Sequence, residues 1–151
     1  MKVHLAWITP KPGRSKEPAL ASLVNEYVSR TRSYADVSIL EVGSEAQLFT
    51  NLERISGRTR PTLVLLDSHG KLRSSEDIAE LVAKSRDNSV QHLVFAIGGP
   101  DGWSKETLAG ADEVLSLGKI TLPHELARLV TAEQIYRAFT ILAGYPYHSG
   151  H

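Results

Sequence analysis

The chain has 151 residues, of which 42% are apolar and 23% charged, and this balance indicates one globular domain over residues 1–151. Its longest apolar stretches, such as LVLL at 63–66 and LVFAI at 93–97, are too short to span a membrane, and the absence of cysteine excludes disulfides and thiolate metal sites. Seventeen basic residues balance seventeen acidic ones, so a nucleic-acid surface would have to be a local patch or one assembled from two subunits. We expect a cytoplasmic protein with no membrane partner.

Short apolar runs alternate with amphipathic stretches along the chain, which is typical of an α/β fold with a mostly parallel sheet flanked by helices. In chain order the pattern predicts a strand at 2–9, a helix at 18–31, a strand at 36–42, a helix at 45–56, a strand at 61–67, a helix at 75–86, a strand at 91–97, a helix at 103–110, a strand at 112–117 and a helix at 123–143.

Several residues predict where these helices begin, end and face. Pro18 suits the first turn of the first helix, and Ser74 with Asp77 has capping-box-like spacing. Gly144 is expected to end the last helix. The buried face of the first helix is predicted to consist of Leu20, Leu23, Val24, Tyr27 and Val28.

Two segments after predicted strands are candidates for a ligand site. They are IGGPDG at 97–102 and LSLGKITLP at 115–123, and both follow strands at the edge where open parallel sheets bind ligands. The first lacks the spacing of a dinucleotide fingerprint and the Lys and Ser/Thr of a phosphate-binding loop. A tight turn and an ordinary loop entering a helix are the alternatives that these residues leave open.

The polar residues at the C-terminal end have both structural and functional interpretations. Glu133 and Arg137 are spaced for an ion pair within one helix, and His124 and Glu125 lack a further ligand at metal-binding spacing, so no metal is expected. The tail YPYHSGH at 145–151 could fray, or its aromatic and imidazole groups could stack on a splayed-out base. No catalytic motif of hydrolases or redox enzymes is present in the sequence.

The stretch from Leu93 to His148 resembles the 23S rRNA pseudouridine N3-methyltransferase family of the SPOUT superfamily. The resemblance rests on IGGPDG, LSLGKITLPHELAR, AEQIYRA and the closing YPYH, with LVLLDSHGKLRSSEDIA at 63–79 similar in outline. It implies a SPOUT fold with a C-terminal trefoil knot, a homodimer, and S-adenosylmethionine (S-adenosyl-L-methionine) as cofactor. It also implies methylation at N3 of a pseudouridine, usually numbered 1915, in 23S rRNA of the 50S subunit or the 70S ribosome.

The resemblance also assigns residues to the site. The cofactor contacts carried over from the family are Leu66, Gly99, Leu117, Gly118, Lys119, Ile120, Thr121 and Leu122. Tyr147 and His148 are the candidates for orienting the base or helping the N3 proton leave, and Arg137 for a phosphate or base contact. Many relatives continue with Arg or Lys after the closing His, whereas this chain continues with residues 149–151, SGH.

Two other functions remain open at this point. A SPOUT methyltransferase could act on another RNA, because the loops report the cofactor more directly than the substrate. A non-catalytic RNA-binding or assembly factor could also keep the same fold.

Overall fold

A computed structural model describes residues 1–149, so Gly150 and His151 of the predicted tail lie outside the described residues. The strands are β1 (Lys2–Ile8), β2 (Asp36–Val42), β3 (Thr62–Leu72), β4 (His92–Ile97) and β5 (Glu113–Ser116). The helices are α1 (Pro18–Thr31), α2 (Glu45–Ile55), α3 (Ser75–Asp87), α4 (Lys105–Gly110) and α5 (His124–Ala143). Every predicted element is therefore confirmed, most of them to within two residues at each end.

The five strands form one parallel sheet in the order β2-β1-β4-β3-β5. All carboxyl ends lie at the same edge, because neighbouring strands run in the same direction. The α/β prediction with a parallel sheet flanked by helices is confirmed, while the trefoil knot stays a prediction. Within residues 1–149 no helix has the length and apolar character needed to cross a bilayer.

Alternate side chains of the strands enter two separate cores. Val3, Leu5 and Trp7 of β1 face the core built with α1, α3 and α5, whereas Ala6 and Ile8 face the core built with α2 and α4. Because both faces of the central strands are covered, these strands consist of continuous apolar runs rather than alternating ones. The three-helix face carries α5, whose two ends organise the candidate site.

Strand β3 continues five residues past its predicted end at Asp67. Leu66 pairs with Leu115 of β5, and after an irregularity Lys71 pairs with Leu115 again. Gly70 permits this crossing, since a Cβ there would lie 2.8 Å from the main chain of Leu115. The predicted end of this strand at residue 67 was therefore wrong.

The predicted helix boundaries are confirmed by their capping contacts. Ser74 and Asp77 form a reciprocal capping box at α3, and Gly144 ends α5 in a left-handed conformation with φ of 70°. One face prediction was wrong: Leu23 of α1 keeps 40% of its surface exposed, while Val24 and Val28 are buried. Leu23 lies at the margin of the helix face, where the stripe of apolar residues is wider than the core that covers it.

Candidate functional site

A cleft of about 360 Å³ opens at the carboxyl edge of the sheet, where β3, β4 and β5 end. The residues that line it are Leu66, Asp67, Ser68, Ile97, Gly98, Gly99, Pro100, Gly102, Trp103, Ser116, Leu117, Gly118, Ile120, Thr121, Leu122, His124 and Ala127. Its volume lies in the range of small-molecule sites, and its position is the one that open parallel sheets use for ligands.

The floor of the cleft is a glycine turn packed on a buried indole. Trp103 donates from Nε1 to the Leu66 carbonyl at 3.0 Å, which fixes its ring between the ends of β3 and β4. A Cβ on Gly98 would lie 3.1 Å from Cε2 of that ring, whereas a Cβ on Gly99 would reach ordinary contact with Ile8 at 3.4 Å. Gly98 is therefore the position where close packing requires glycine.

The loop after β5 forms the opposite wall. The Ser116 hydroxyl donates to the Gly118 carbonyl at 2.8 Å and accepts from the Gly118 amide at 3.2 Å. Gly118 has a φ of 141°, which L side chains rarely adopt, so the loop conformation depends on glycine there. Ile120 projects at the rim with 72% of its surface exposed, and a ligand in the cleft would cover it.

His124 connects the glycine turn to the first turn of α5. Its Nδ1 accepts from Nε of Arg128 at 3.0 Å, so Nε2 carries the proton and donates to the Gly98 carbonyl at 2.8 Å. Burial, and then the positive charge of Arg128, lower the pKa of His124. The imidazole is therefore neutral near pH 7, because protonation of Nδ1 would abolish the bond from Arg128.

The charge lining the cleft favours a neutral or cationic ligand. None of the lining residues is Lys or Arg, and Asp67 contributes a carboxylate. Arg128 lies behind the wall, stacked 4.6 Å from the centre of the Trp7 ring and 3.7 Å from Glu125. A ligand with phosphate groups would find no cation in the lining to neutralise its negative charge. A sulfonium group is itself a cation and needs none.

A second set of functional candidates surrounds the C-terminal end of α5. Arg137 forms the predicted ion pair with Glu133 at 2.8 Å, and the Tyr147 hydroxyl donates to the same carboxylate at 3.0 Å. Arg137 also lies 4.8 Å from the centre of the Tyr147 ring and donates to Nδ1 of His148 at 2.8 Å. We call Glu133, Arg137, Tyr147 and His148 the tail cluster.

The hydrogen bonds of the tail cluster determine how its groups ionise. Nδ1 of His148 accepts from Arg137, so Nε2 donates to Oε1 of Glu76 at 2.7 Å, and that bond lowers the pKa of the Glu76 carboxyl. Burial, followed by hydrogen bonds with Tyr27 and Glu133, raises the pKa of Tyr147. Tyr147 therefore remains a neutral donor, and both ring nitrogens of His148 are engaged, Nδ1 by Arg137 and Nε2 by Glu76.

The structure brings the predicted residues into two places rather than one. Arg137, Tyr147 and His148 meet in the tail cluster, but thirteen residues of α5 separate Arg137 from His124 in the cleft, or about 20 Å along the helix. The predicted cofactor residues line the cleft, apart from Lys119, which is exposed and outside the lining. The chain thus places the cleft and the tail cluster far apart.

The sequence interpretation missed two residues that shape the cleft. Trp103 supports the glycine turn and His124 holds it to α5. The position of Trp103 directly after the glycine-rich segment could have indicated that its indole packs against that turn. The bond from His124 to Gly98 could not be predicted, because it joins residues 26 positions apart. Within the described 1–149, no group of three His, Asp or Glu side chains could hold a metal ion.

Comparison with known proteins identifies the family. A family model described as "Predicted SPOUT methyltransferase" matches residues 1–148. The chain belongs to the SPOUT methyltransferase family. Proteins named ribosomal RNA large subunit methyltransferase H are similar over essentially their whole length: that of Koribacter versatilis is 51% identical over 100% of both chains, and that of Geobacter metallireducens is 37% identical over 98% of this chain and 99% of its own.

A solved SPOUT-type structure has the same fold. The SpoU methyltransferase AviRb from Streptomyces viridochromogenes, in complex with S-adenosylmethionine, matches 95% of this chain with a TM-score of 0.50 and 13% identity. This chain spans 61% of the AviRb chain. At that identity the likeness shows that this SPOUT methyltransferase shares the fold.

Proposed function

We propose that this single SPOUT domain, residues 1–151, transfers a methyl group from S-adenosylmethionine to N3 of a pseudouridine in 23S rRNA. Its curated relatives carry the name of a large-subunit rRNA methyltransferase and match it from end to end. The observation that carries the proposal is the cleft, which is built from glycine turns and apolar walls and has no cation in its lining. The assembled ribosome in the cytoplasm is the proposed substrate.

The residues of the cleft fit this cofactor. Main-chain groups near Gly99 and Thr121 lie within the lining, and Leu117, Ile120 and Leu122 provide apolar walls for a flat adenine ring. Asp67 adds a carboxylate to a cleft whose histidine is neutral, which suits a cationic sulfonium. When bound, the cofactor supplies an activated methyl group, so the protein needs no covalent nucleophile.

The tail cluster supplies what the acceptor needs. A pseudouridine must lose its N3 proton and be held in line with the donor. Nδ1 of His148 accepts that proton once Arg137 turns from the imidazole towards RNA, and Glu76 at Nε2 stabilises the resulting positive charge. The neutral Tyr147 ring offers a surface on which the base stacks.

We further propose that two copies assemble the site. The distance of about 20 Å along α5 keeps each tail cluster from its own cleft, and a two-fold dimer can place the cluster of one subunit against the cleft of the other. Aromatic side chains beside the cluster support this arrangement, because Tyr34 and Tyr145 keep 37% and 55% of their surfaces exposed next to Tyr136.

Methylation assays test the substrate. Purified protein with labelled S-adenosylmethionine is incubated with 70S ribosomes, free 50S subunits or tRNA, each lacking the modification, and the RNA is digested for mass spectrometry. Incorporation into 23S rRNA at N3 of a pseudouridine supports the proposal. Methylated tRNA with unmodified 23S rRNA would favour the alternative of a SPOUT methyltransferase that acts on another RNA. If calorimetry detects no cofactor binding, the alternative of a non-catalytic RNA-binding or assembly factor is favoured.

Light scattering tests the dimer. At micromolar concentration the expected mass is twice the 16.6 kDa of one chain. A mixed dimer of a Gly98→Trp subunit, with a blocked cleft, and a His148→Ala subunit should regain one working site. The pure Gly98→Trp protein should be inactive, and the pure His148→Ala protein should be slower than the mixture on a per-site basis. A mass of one chain, or no activity in the mixture, contradicts the dimeric site.

A further inference from the structure

The loop that joins β1 to α1 carries an unused cluster of positive charge. From Pro10 to Lys16 the sequence is PKPGRSK, which contains Lys11, Arg14 and Lys16 and no acid. All three cations are exposed, and in the described chain none of them forms an ion pair. We call residues 10–16 the basic loop.

A tight turn sets the shape of the basic loop. The Arg14 amide donates to the Lys11 carbonyl at 3.2 Å, and Gly13 between them has a φ of 80°. Pro12 followed by a glycine with positive φ is the sequence of a type II turn. The turn holds Lys11 and Arg14 within about 7 Å of each other at the Cα atoms, so their charges stay together before any partner binds.

Two connections join the basic loop to elements that line the cleft. The loop begins two residues after Ile8, whose side chain lies against Gly99 of the glycine turn. Further along, Glu125 accepts from the Ser15 hydroxyl and, at 3.1 Å, from the Lys16 amide, and Glu125 follows His124 in the first turn of α5. The loop is therefore connected to two of the elements that line the cleft, the glycine turn and the first turn of α5.

Two of the acids near the basic loop, Glu41 and Glu125, accept hydrogen bonds from it, and the exposed Glu17 follows it directly in the chain. Both carboxylate oxygens of Glu125 accept hydrogen bonds from the loop, and Glu41 accepts from the Gly13 amide at 2.6 Å. The Glu125 side chain is 15% exposed, whereas the cations lie on the outside. The loop thus presents three positive charges outward, and a partner with regularly spaced negative charges would complement them.

We propose that Lys11, Arg14 and Lys16 bind the phosphate backbone of the RNA next to the target nucleotide. This rests on the proposed function, because the cleft defines where the target base must enter. Phosphate contacts position an RNA without reading its sequence, and three exposed cations on a preformed turn suit that task. The basic loop is a substrate-positioning surface in the same subunit as the cofactor cleft.

The test compares two triple variants of the full-length protein on 70S ribosomes. The first is Lys11→Ala, Arg14→Ala and Lys16→Ala. The matched control is Arg58→Ala, Lys84→Ala and Arg86→Ala, which removes the same charge from exposed positions at the opposite, amino-terminal edge of the sheet. Calorimetry with S-adenosylmethionine and light scattering verify that each variant is folded and assembled like the wild type.

The loop variant should raise KM for ribosomes roughly tenfold or more near physiological salt and leave kcat and cofactor affinity unchanged. The slope of log affinity against log salt concentration should become less negative by about two, since each lost phosphate contact removes about 0.7 to 0.9 from the slope. A charge-preserving variant, with Lys11→Arg, Arg14→Lys and Lys16→Arg, should behave like the wild type.

Other outcomes separate the two proposals. If the wild type methylates 23S rRNA but the loop variant matches the control in KM and salt slope, the basic loop does not bind RNA and the proposed function stands. A raised KM with an unchanged salt slope points to a protein surface of the ribosome and also overturns the RNA contact. If the wild type neither methylates nor binds rRNA, both proposals fail.

Discussion

The two ends of α5 carry regions of opposite construction. At its N-terminal end, the cleft is defined by main chain: Gly98 and Gly118 permit its turns, and the neutral His124 holds them. At its C-terminal end, Arg137 and His148 form a network of charged and aromatic side chains around the tail. The first region is suited to binding by shape, and the second to orienting a polar acceptor and moving a proton.

This difference implies that damage to each region has a distinct kinetic signature. Substitutions in the cleft change the space available to the cofactor, so they act on its affinity. Substitutions in the tail cluster leave that space intact, so they act on turnover after both substrates are bound. Measuring the cofactor Kd and kcat in parallel therefore separates the two regions.

Removal of the tail should have the largest effect. Deleting residues 147–151 removes the proposed base platform and proton acceptor and leaves every lining residue of the cleft in place. We expect turnover on ribosomes to fall below detection while calorimetry gives an unchanged cofactor affinity, because only the orientation of the acceptor is lost. Nearly intact methylation by the truncated protein would mean that the tail is not part of the site.

A single substitution should isolate the proton acceptor. We expect His148→Ala to lower kcat roughly a hundredfold, the low end for a general acid or base, with cofactor affinity unchanged. Ser149→Ala is the matched control, since the Ser149 hydroxyl donates to the Pro146 carbonyl within the tail and bonds no member of the tail cluster in the described part of the chain. Wild-type kcat in the His148 variant would remove that residue from the reaction.

Substitutions in the glycine turn should give the reverse signature. Gly98→Ala forces a Cβ to 3.1 Å from Trp103, and Gly99→Val adds methyl groups beyond the contact with Ile8. Overpacking should cost about 1–3 kcal/mol of folding stability, which the fold survives. Because the displaced turn is part of the cleft, both variants should also weaken cofactor binding by about tenfold or more. Gly110→Ala is the control, because a Cβ there meets nothing within 4 Å. Unchanged cofactor affinity in both cleft variants would place the pocket elsewhere.

The sequence was sufficient to predict the sheet and most of the cleft. Buried parallel strands are continuous apolar runs, and the loops that follow them are glycine-rich, so both are visible without coordinates. The extension of β3 was missed because SHGK has the composition of a turn, and Gly70 there serves a close approach to Leu115. Local composition does not distinguish these two uses of glycine.

The division of the site between the ends of α5 could not be predicted from the same pattern. Spacing along the chain placed His124 and Arg137 on one helix, but it gave no sign that His124 also bonds the distant turn at Gly98. Lys119 stays a predicted cofactor contact, although its neighbours line the cleft and its own side chain is exposed. Side-chain direction in an irregular loop follows from tertiary contacts rather than from sequence position.

The smallest expected effect is a pH dependence that tests the neutrality of the cleft. Burial and Arg128 lower the pKa of His124 below its ordinary 6.5, so below that pH the unfolded chain binds a proton that the folded protein does not. The contribution of neutral His124 to folding stability is therefore complete above pH 6.5 and declines as the pH falls below 6.5. His124→Gln keeps an amide that can donate to Gly98 but does not titrate.

The difference in Tm between the wild type and His124→Gln should therefore be largest near about pH 7.5 and shrink near about pH 5.5. Calorimetric melts at both pH values measure it. His4, whose pKa is lowered to about 4 chiefly by burial and then by His92, is present in both proteins, so its contribution cancels in the difference. A difference that stays constant or widens on acidification would mean that His124 is charged in the folded protein. The cleft would then carry a cation like the tail cluster, and the contrast between the two ends of α5 would not hold.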